Sequence, residues 1–210
     1  MHIAIFGASR GVGRAAVDAA VLAGHSVTAF SRTAWTPASD AVTVVAADVL
    51  DPAAVLAALA DADAVLVSLG VTPGQRKTTP EDVCSRGTRV IVDAMKASSI
   101  ERLLIVTSYG VGDTRSRTPF LFSIFAKTIL RGIMADKEVQ ERDVRASGLQ
   151  WTIVQPLGLT DEPATSHLYI ATDGSRETNR VSRADVGVMC IDAIAHGKFI
   201  GESVAVSSAK

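Results

Sequence analysis

The stretch that most constrains the chain is its opening, Ile3-Ala4-Ile5-Phe6-Gly7-Ala8-Ser9-Arg10-Gly11-Val12-Gly13. Ile3 to Phe6 is a short apolar run of the kind a buried strand uses. It breaks at Gly7. From Val12 the apolar residues Val12, Ala15, Ala16, Ala19 and Ala20 recur at helical spacing. A strand, a glycine turn and a helix in that order present free N–H groups and a positive dipole end, where the pyrophosphate of a dinucleotide is held. Gly7 permits the tight turn, Gly11 has no Cβ to hold the backbone off a phosphate, and Gly13 lets the helix pack on the strand. Ser9, Arg10 and Val12 complete the turn as candidate cofactor contacts. The spacing G-x-x-x-G-x-G is not the commonest G-x-G-x-x-G, so the flanking strand and helix carry the reading.

The second strand, Ser26 to Phe30, ends in Ser31-Arg32-Thr33. An NAD site would place Asp or Glu here, on the ribose 2′-hydroxyl. This chain has a hydroxyl, Ser31, and a guanidinium, Arg32, with Arg10 nearby in the turn. A carboxylate would repel a 2′-phosphate, whereas Arg can hold one bidentately. The expected cofactor is therefore NADP(H) rather than NAD(H).

Strands and helices then alternate. Val42 to Ala47 is a third strand, ending at Asp48-Val49, and Asp51-Pro52 starts a helix that runs to near Ala60. Ala64 to Ser68 is a fourth strand, followed by Leu69-Gly70 and a polar loop, Val71 to Pro80, which reads either as a lid or as a plain connection. A long helix over about Glu81 to Ser98 leads to a fifth strand, Arg102 to Thr107. That strand ends in Ser108-Tyr109-Gly110-Val111-Gly112, a second candidate site because ligands of open parallel sheets bind beyond the carboxyl ends of strands. A helix from Ala135 to Ala146 precedes a sixth strand, Gln150 to Gln155, which ends at Pro156. Thr160 to Ser166 reads as a loop and Leu168 to Ala171 as a short strand. Ser182 to Asp185 is a capping box that opens a last helix, and Val204 to Ser207 is a last strand. The alternation predicts an α/β fold, a doubly wound parallel sheet in one domain over residues 1–210.

One segment stands apart. Thr118 to Arg131 holds Phe120, Leu121, Phe122, Ile124, Phe125, Ile129 and Leu130. It is shorter than the about 18 residues a membrane span needs. A membrane-touching helix, a dimer face, a flap over an apolar substrate and a helix packed on the sheet all fit it.

Composition narrows the partners. The net charge of −1 gives no general field for nucleic acid or anionic membrane. The two cysteines, Cys84 and Cys190, form no C-x-x-C, and the four histidines are scattered, so neither a disulfide framework nor a metal site is expected. The opening strand leaves no room for a charged segment followed by an apolar signal, and the expected compartment is the cytosol. The expected ligand is a small molecule, with a homodimer or a protein partner as a further option.

The chain resembles the short-chain dehydrogenase/reductase superfamily, and more closely its atypical branch of NAD(P)-binding proteins, which includes biliverdin IX-beta/flavin reductases and NmrA-like regulators. Ile3-Ala4-Ile5-Phe6-Gly7-Ala8 is similar to the opening of the reductases. Ser147-Gly148-Leu149-Gln150-Trp151-Thr152-Ile153-Val154-Gln155-Pro156 resembles the branch's SGLxxTIVRP stretch, and Val181-Ser182-Arg183-Ala184-Asp185-Val186 its ISRADVA stretch. The resemblance covers essentially the whole chain and implies a Rossmann-type domain. It implies that Ser31-Arg32, Asp48-Val49 and Ser68-Leu69-Gly70 contact the ribose phosphate, adenine and nicotinamide ribose, with Thr107, Gln155 and Pro156 completing the cofactor-binding set.

The departure from the family lies in catalysis. The main branch uses Tyr-x-x-x-Lys. Alignment through Ser147-Gly148-Leu149 places the lysine at Lys137, and Ile133 stands four residues earlier, where no proton can be supplied. Lys137 also precedes Glu141 by four, so a surface ion pair competes with a cofactor-ribose contact. Ser108 and Tyr109 are substitute candidates for the catalytic acid, beside Lys137. Flavins and quinones need none, because they accept hydride at an electrophilic ring and take a proton from water. The leading expectation is an NADPH-dependent reductase of such a planar electrophile. The alternative is a non-catalytic NADP(H)-binding redox sensor of the NmrA-like kind. Epimerase or isomerase chemistry ranks third, for want of the tyrosine.

Overall fold

Strands covered on both faces carry near-continuous apolar runs, as Ile3 to Phe6, Ala64 to Val67 and Leu103 to Val106 do here, whereas Ser26 to Phe30 alternates. The computed structural model describes residues 1–71, 81–117 and 131–210. In chain order it shows β1 (His2–Phe6), α1 (Gly11–Leu22), β2 (Ser26–Ser31), β3 (Val42–Ala46), α2 (Pro52–Ala58), β4 (Ala64–Val67), α3 (Val83–Ala97) and β5 (Arg102–Val106). A 3₁₀ turn (Gly112–Arg117), α4 (Arg131–Arg145), β6 (Gln150–Pro156), β7 (Gly158–Thr160), β8 (Leu168–Ala171), β9 (Arg180–Ser182), α5 (Arg183–Ala195) and β10 (Glu202–Ser208) follow.

Eight strands form one sheet in the order β3-β2-β1-β4-β5-β6-β10-β8. Its neighbours pair in parallel except β10 with β8 at the edge, which are antiparallel. The order reverses at β1, between β2 and β4, and an open α/β sheet binds its ligand at such a switch point. Side chains alternate across the sheet. Ile3 and Ile5 of β1 join the core under α1 and α5, while Ala4 and Phe6 join the core under α2, α3 and α4. The fold is thus the doubly wound, Rossmann-like one expected.

The caps show how local chemistry sets the ends. Asp51 accepts from the N–H groups of Ala53 and Ala54 at 3.0 and 3.3 Å, with Pro52 at the first helical position. The capping box forms, with the Ser182 hydroxyl accepting from the Asp185 N–H at 2.9 Å. Helix α3 gets no side-chain bond from its own Asp82. Its Cys84 and Ser85 N–H groups donate instead to Asp136 of α4, at 2.9 and 3.0 Å, so α4 caps α3.

Several details differ from the sequence reading. The sheet carries an antiparallel edge strand, and the stretch expected to be a loop from Thr160 begins on a strand, β7. β7 pairs with β9, which periodicity did not reveal; three residues are too few to show a period. Helix α4 extends back to Arg131, beyond the expected start at Ala135. Residues 72–80 of the lid-or-loop segment and 118–130 of the apolar segment lie outside the described residues. Among the described residues, no helix is long and apolar enough to cross a membrane.

Candidate functional site

The carboxyl ends of β1, β2 and β4 meet the glycine turn around a cleft of about 710 Å³. The turn is wedged in place. Gly7 has φ +84°, a conformation that favours glycine, and its N–H donates to the Phe30 carbonyl at 2.9 Å. A Cβ on Gly7 would strike the carbonyl oxygen of Ser68, and one on Gly13 would strike that of Gly7. Gly11, with φ +60°, is different. A Cβ there would strike no backbone and would rest in ordinary contact with the Arg183 side chain, whose Nε lies 3.9 Å away. The turn therefore has one bare backbone face, at Gly11, directed into the cleft beside the start of α1. That is the cradle a pyrophosphate requires.

Gly7, Ser9, Arg10, Gly11 and Val12 line the cleft, and so do Ser31 and Arg32 at the end of β2, with Thr33 to Trp35 beyond them. Ser31 is buried, and its hydroxyl donates to the Thr33 carbonyl at 2.9 Å, shaping the corner that carries Arg32. The Arg14 guanidinium stacks over the Trp35 ring, 4.1 Å from its centroid. Val49, Ser68, Leu69 and Gly70 line the opposite wall.

The floor is formed by Val106, Thr107 and Lys137. Lys137 is buried at 7% exposure, and its ammonium donates to the carbonyls of Leu69 (3.3 Å) and Val106 (3.4 Å). The alternative of a surface pair with Glu141 is overturned. Glu141 is fully buried and accepts from the Thr107 hydroxyl at 2.6 Å, from the Gln155 amide at 2.9 and 3.2 Å, and from Arg145 at 3.1 Å. Lys137 and Glu141 share a helix but serve different groups.

Other candidate residues sit elsewhere. Asp48 accepts from the Leu50 N–H at 3.0 Å and does not line the cleft. Gly13 packs beneath the turn. Gln155 is buried among Glu141 and the Val111 carbonyl, and Pro156 also lies outside the lining. Ser108 bonds to the carbonyl of Tyr109 at 3.4 Å. Tyr109 itself is buried against Leu157 and Ala205. Its hydroxyl donates to the Gly174 carbonyl at 3.0 Å and accepts from Arg176 at 2.7 Å, away from the cleft. Cys84 bonds through its sulfur to the same Leu69 carbonyl that Lys137 uses. Burial pushes its thiol up to about 11, with Lys137 pulling the other way and Asp136 adding to the rise, so it stays protonated at neutral pH.

The sequence reading missed Trp35, Leu159, Asp161 and Arg183 as lining residues. In the sequence Arg183 stands within a family-like stretch, where its spacing marks only a helix cap. Among the described residues, no group of three or more His, Cys, Asp or Glu is placed to hold a metal ion.

The sequence profile of a family described as NAD(P)H-binding matches residues 7–197, from the glycine turn to the end of α5 and beyond. The chain belongs to this NAD(P)H-binding family. A curated relative, the chloroplastic protein At2g34460 of Arabidopsis thaliana, is uncharacterized and 26% identical over 139 residues, which are 64% of this chain and 48% of the relative. The chain thus spans about half the length of that relative.

Solved structures share the fold of this NAD(P)H-binding protein. The anaerobillin reductase ChuY of Escherichia coli O157:H7 superposes with a TM-score of 0.80 at 24% identity, covering 100% of this chain and 98% of ChuY. A short-chain dehydrogenase/reductase of Veillonella parvula in complex with NADP gives 0.81 at 19% identity, covering 99% and 94%. A Streptococcus pneumoniae protein with a proposed NADH-flavin reductase activity gives 0.76 at 21% identity, covering 100% of both chains. At these identities the likeness establishes the fold.

Proposed function

We propose that the chain is an NADPH-dependent reductase of a planar electrophile such as a flavin or a quinone. The observation that carries the cofactor preference is the end of β2. Arg10 and Arg32 both line the cleft there, and the corner formed by Ser31, Arg32 and Thr33 contributes no carboxylate. Two guanidinium groups suit a 2′-phosphate, and an acid would be needed to favour the bare hydroxyl.

The nicotinamide of the bound cofactor would supply the hydride, and the chain's own residues position it. The N–H groups at the start of α1 and the bare face of Gly11 receive the pyrophosphate. Lys137 spends two of its three N–H bonds on Leu69 and Val106, leaving one for a ligand. The Thr107 hydroxyl donates its hydrogen bond to Glu141 and so meets a ligand as an acceptor. One donor beside one acceptor suits a ribose hydroxyl pair. Tyr109 does not line the cleft, and a substrate whose proton comes from water does not require it. The flavin reductase activity proposed for one structural neighbour supports this substrate class.

The test pairs calorimetry with an oxidation assay. NADPH should bind at least about tenfold more tightly than NADH, since a charged phosphate contact contributes about 1.5–3 kcal/mol. NADPH should be oxidised by members of a flavin and quinone panel. Equal dissociation constants would reject the cofactor preference. Tight binding with no oxidation across the panel would point to a dinucleotide sensor instead.

A further inference from the structure

The small parallel sheet has a consequence for the cleft. β7 and β9 pair with Thr160 opposite Ser182, so the next residue of each strand, Asp161 and Arg183, leaves the sheet side by side. They form an ion pair, Arg183 Nη1 to Asp161 Oδ1 at 2.8 Å, and both line the cleft. Arg183 is also the first residue of α5, and α5 lies tightly on α1 through Gly187, where a Cβ would come within 2.7 Å of the Ala15 backbone. That contact fixes the start of α5 beside the start of α1. The Arg183 side chain consequently stands over the bare face of Gly11, the nearest described neighbour to it, at 3.9 Å from a Cβ position there. The side chains of Arg183 and Asp161 are 30% and 89% exposed. The carboxylate is therefore well hydrated and easily exchanged for a stronger anion.

We propose that Arg183 is the pyrophosphate clamp of this cleft and that Asp161 is its resting partner. When a dinucleotide enters, the guanidinium passes from the Asp161 carboxylate to the phosphate oxygens, which offer a doubly charged and bidentate acceptor. Asp161 keeps the long Arg side chain extended over Gly11 beforehand, which reduces the ordering required on binding. The backbone of α1 then holds the pyrophosphate from one side and Arg183 from the other. This rests on the dinucleotide reading of the cleft and adds a residue that acts on a part of the ligand common to NADPH and NADH.

That commonality supplies the test. Arg183→Gln should weaken NADPH and NADH alike, each by about tenfold, in calorimetry at low salt. It should leave 2′-AMP, which has the 2′-phosphate and no pyrophosphate, unchanged. Asp161→Asn, which leaves the fold of α5 untouched, should tighten both dinucleotides by about twofold or more, and the gain should fade as salt rises. If wild-type protein binds neither dinucleotide, the reading of the cleft fails. If both bind and Arg183→Gln is silent, or if only NADPH is weakened, the clamp fails alone. Weaker binding by Asp161→Asn would also overturn it, because Asp161 would then be a ligand contact rather than a competitor. Thermal melting of each variant separates a lost contact from a lost fold.

Discussion

Lys137 donates to the carbonyl of Leu69 across 3.3 Å, joining α4 to the segment that follows β4 and placing a buried ammonium on the cleft floor. If that ammonium meets the cofactor, Lys137→Met should weaken NADPH binding by about tenfold, the loss of one charged hydrogen bond. Turnover with a flavin acceptor should fall with it. Isothermal calorimetry and steady-state kinetics check both. Unchanged affinity with a lowered melting temperature would reduce Lys137 to a tie between α4 and the sheet.

Tyr109 should matter little to catalysis. Its hydroxyl is engaged by the Gly174 carbonyl and by Arg176, whose guanidinium also lies 5.2 Å from the ring centroid. Tyr109→Phe removes those bonds and should cost about 1 kcal/mol of stability. Turnover with NADPH and a quinone should stay within about twofold of wild type, well short of the roughly hundredfold loss expected of a general acid. A loss of that size with unchanged cofactor affinity would restore a tyrosine-dependent mechanism.

Gly13 is a packing position. The Cβ of Gly13→Ala would collide with the backbone of Gly7, and neither backbone can move without shifting α1 or β1. Urea unfolding should show a loss of about 1–3 kcal/mol. Gly11→Ala meets no such wall, but its φ of +60° costs about 1 kcal/mol in a non-glycine residue, and the methyl group enters the cleft. It should therefore lower cofactor affinity more than stability. The opposite ranking of the two variants would contradict the roles given to the two glycines.

Asp185 ties the segment after β7 to α5. Burial by itself would raise its carboxyl, but the Ser166 N–H, the Ser182 hydroxyl and the N–H and hydroxyl of Thr165 outweigh burial and hold it below its ordinary 3.8. A depressed native value means the ionised form stabilises the fold above the ordinary value, and that stabilisation is lost as pH falls through the lower native value. Asp185→Asn should cost about 1–3 kcal/mol at pH 7, and the gap to wild type should narrow as the solution is acidified below 3.8. Melting curves across that range check the direction. A gap that widens in acid would show that the carboxyl is not held ionised.

The frame of the fold is written locally along the chain. Ile3 to Phe6, Gly7 and the helical spacing from Val12 are local signals, because a strand, a turn and a helix each follow from the residues within them. The same holds for Asp51-Pro52 and for Ser182 with Asp185, whose caps act within one turn of helix. Ser31 and Arg32 were legible because the ends of parallel strands have a fixed meaning in such a fold, and Lys137 through the resemblance of Ser147-Gly148-Leu149 to a family stretch. Side-chain partners are set by packing. Spacing offered Glu141 to Lys137, yet folding brought Leu69 and Val106 nearer and gave Glu141 to Thr107, Gln155 and Arg145. Tyr109 could have faced either way from its strand end, and Arg176, remote in sequence, settled it. β7 and β9 are too short for periodicity to find, yet their pairing sets Asp161 beside Arg183, and the packing of α5 on α1 at Gly187 brings Arg183 over Gly11. Periodicity records which face of an element is buried, whereas the partner of a polar side chain is fixed only when segments far apart along the chain pack together.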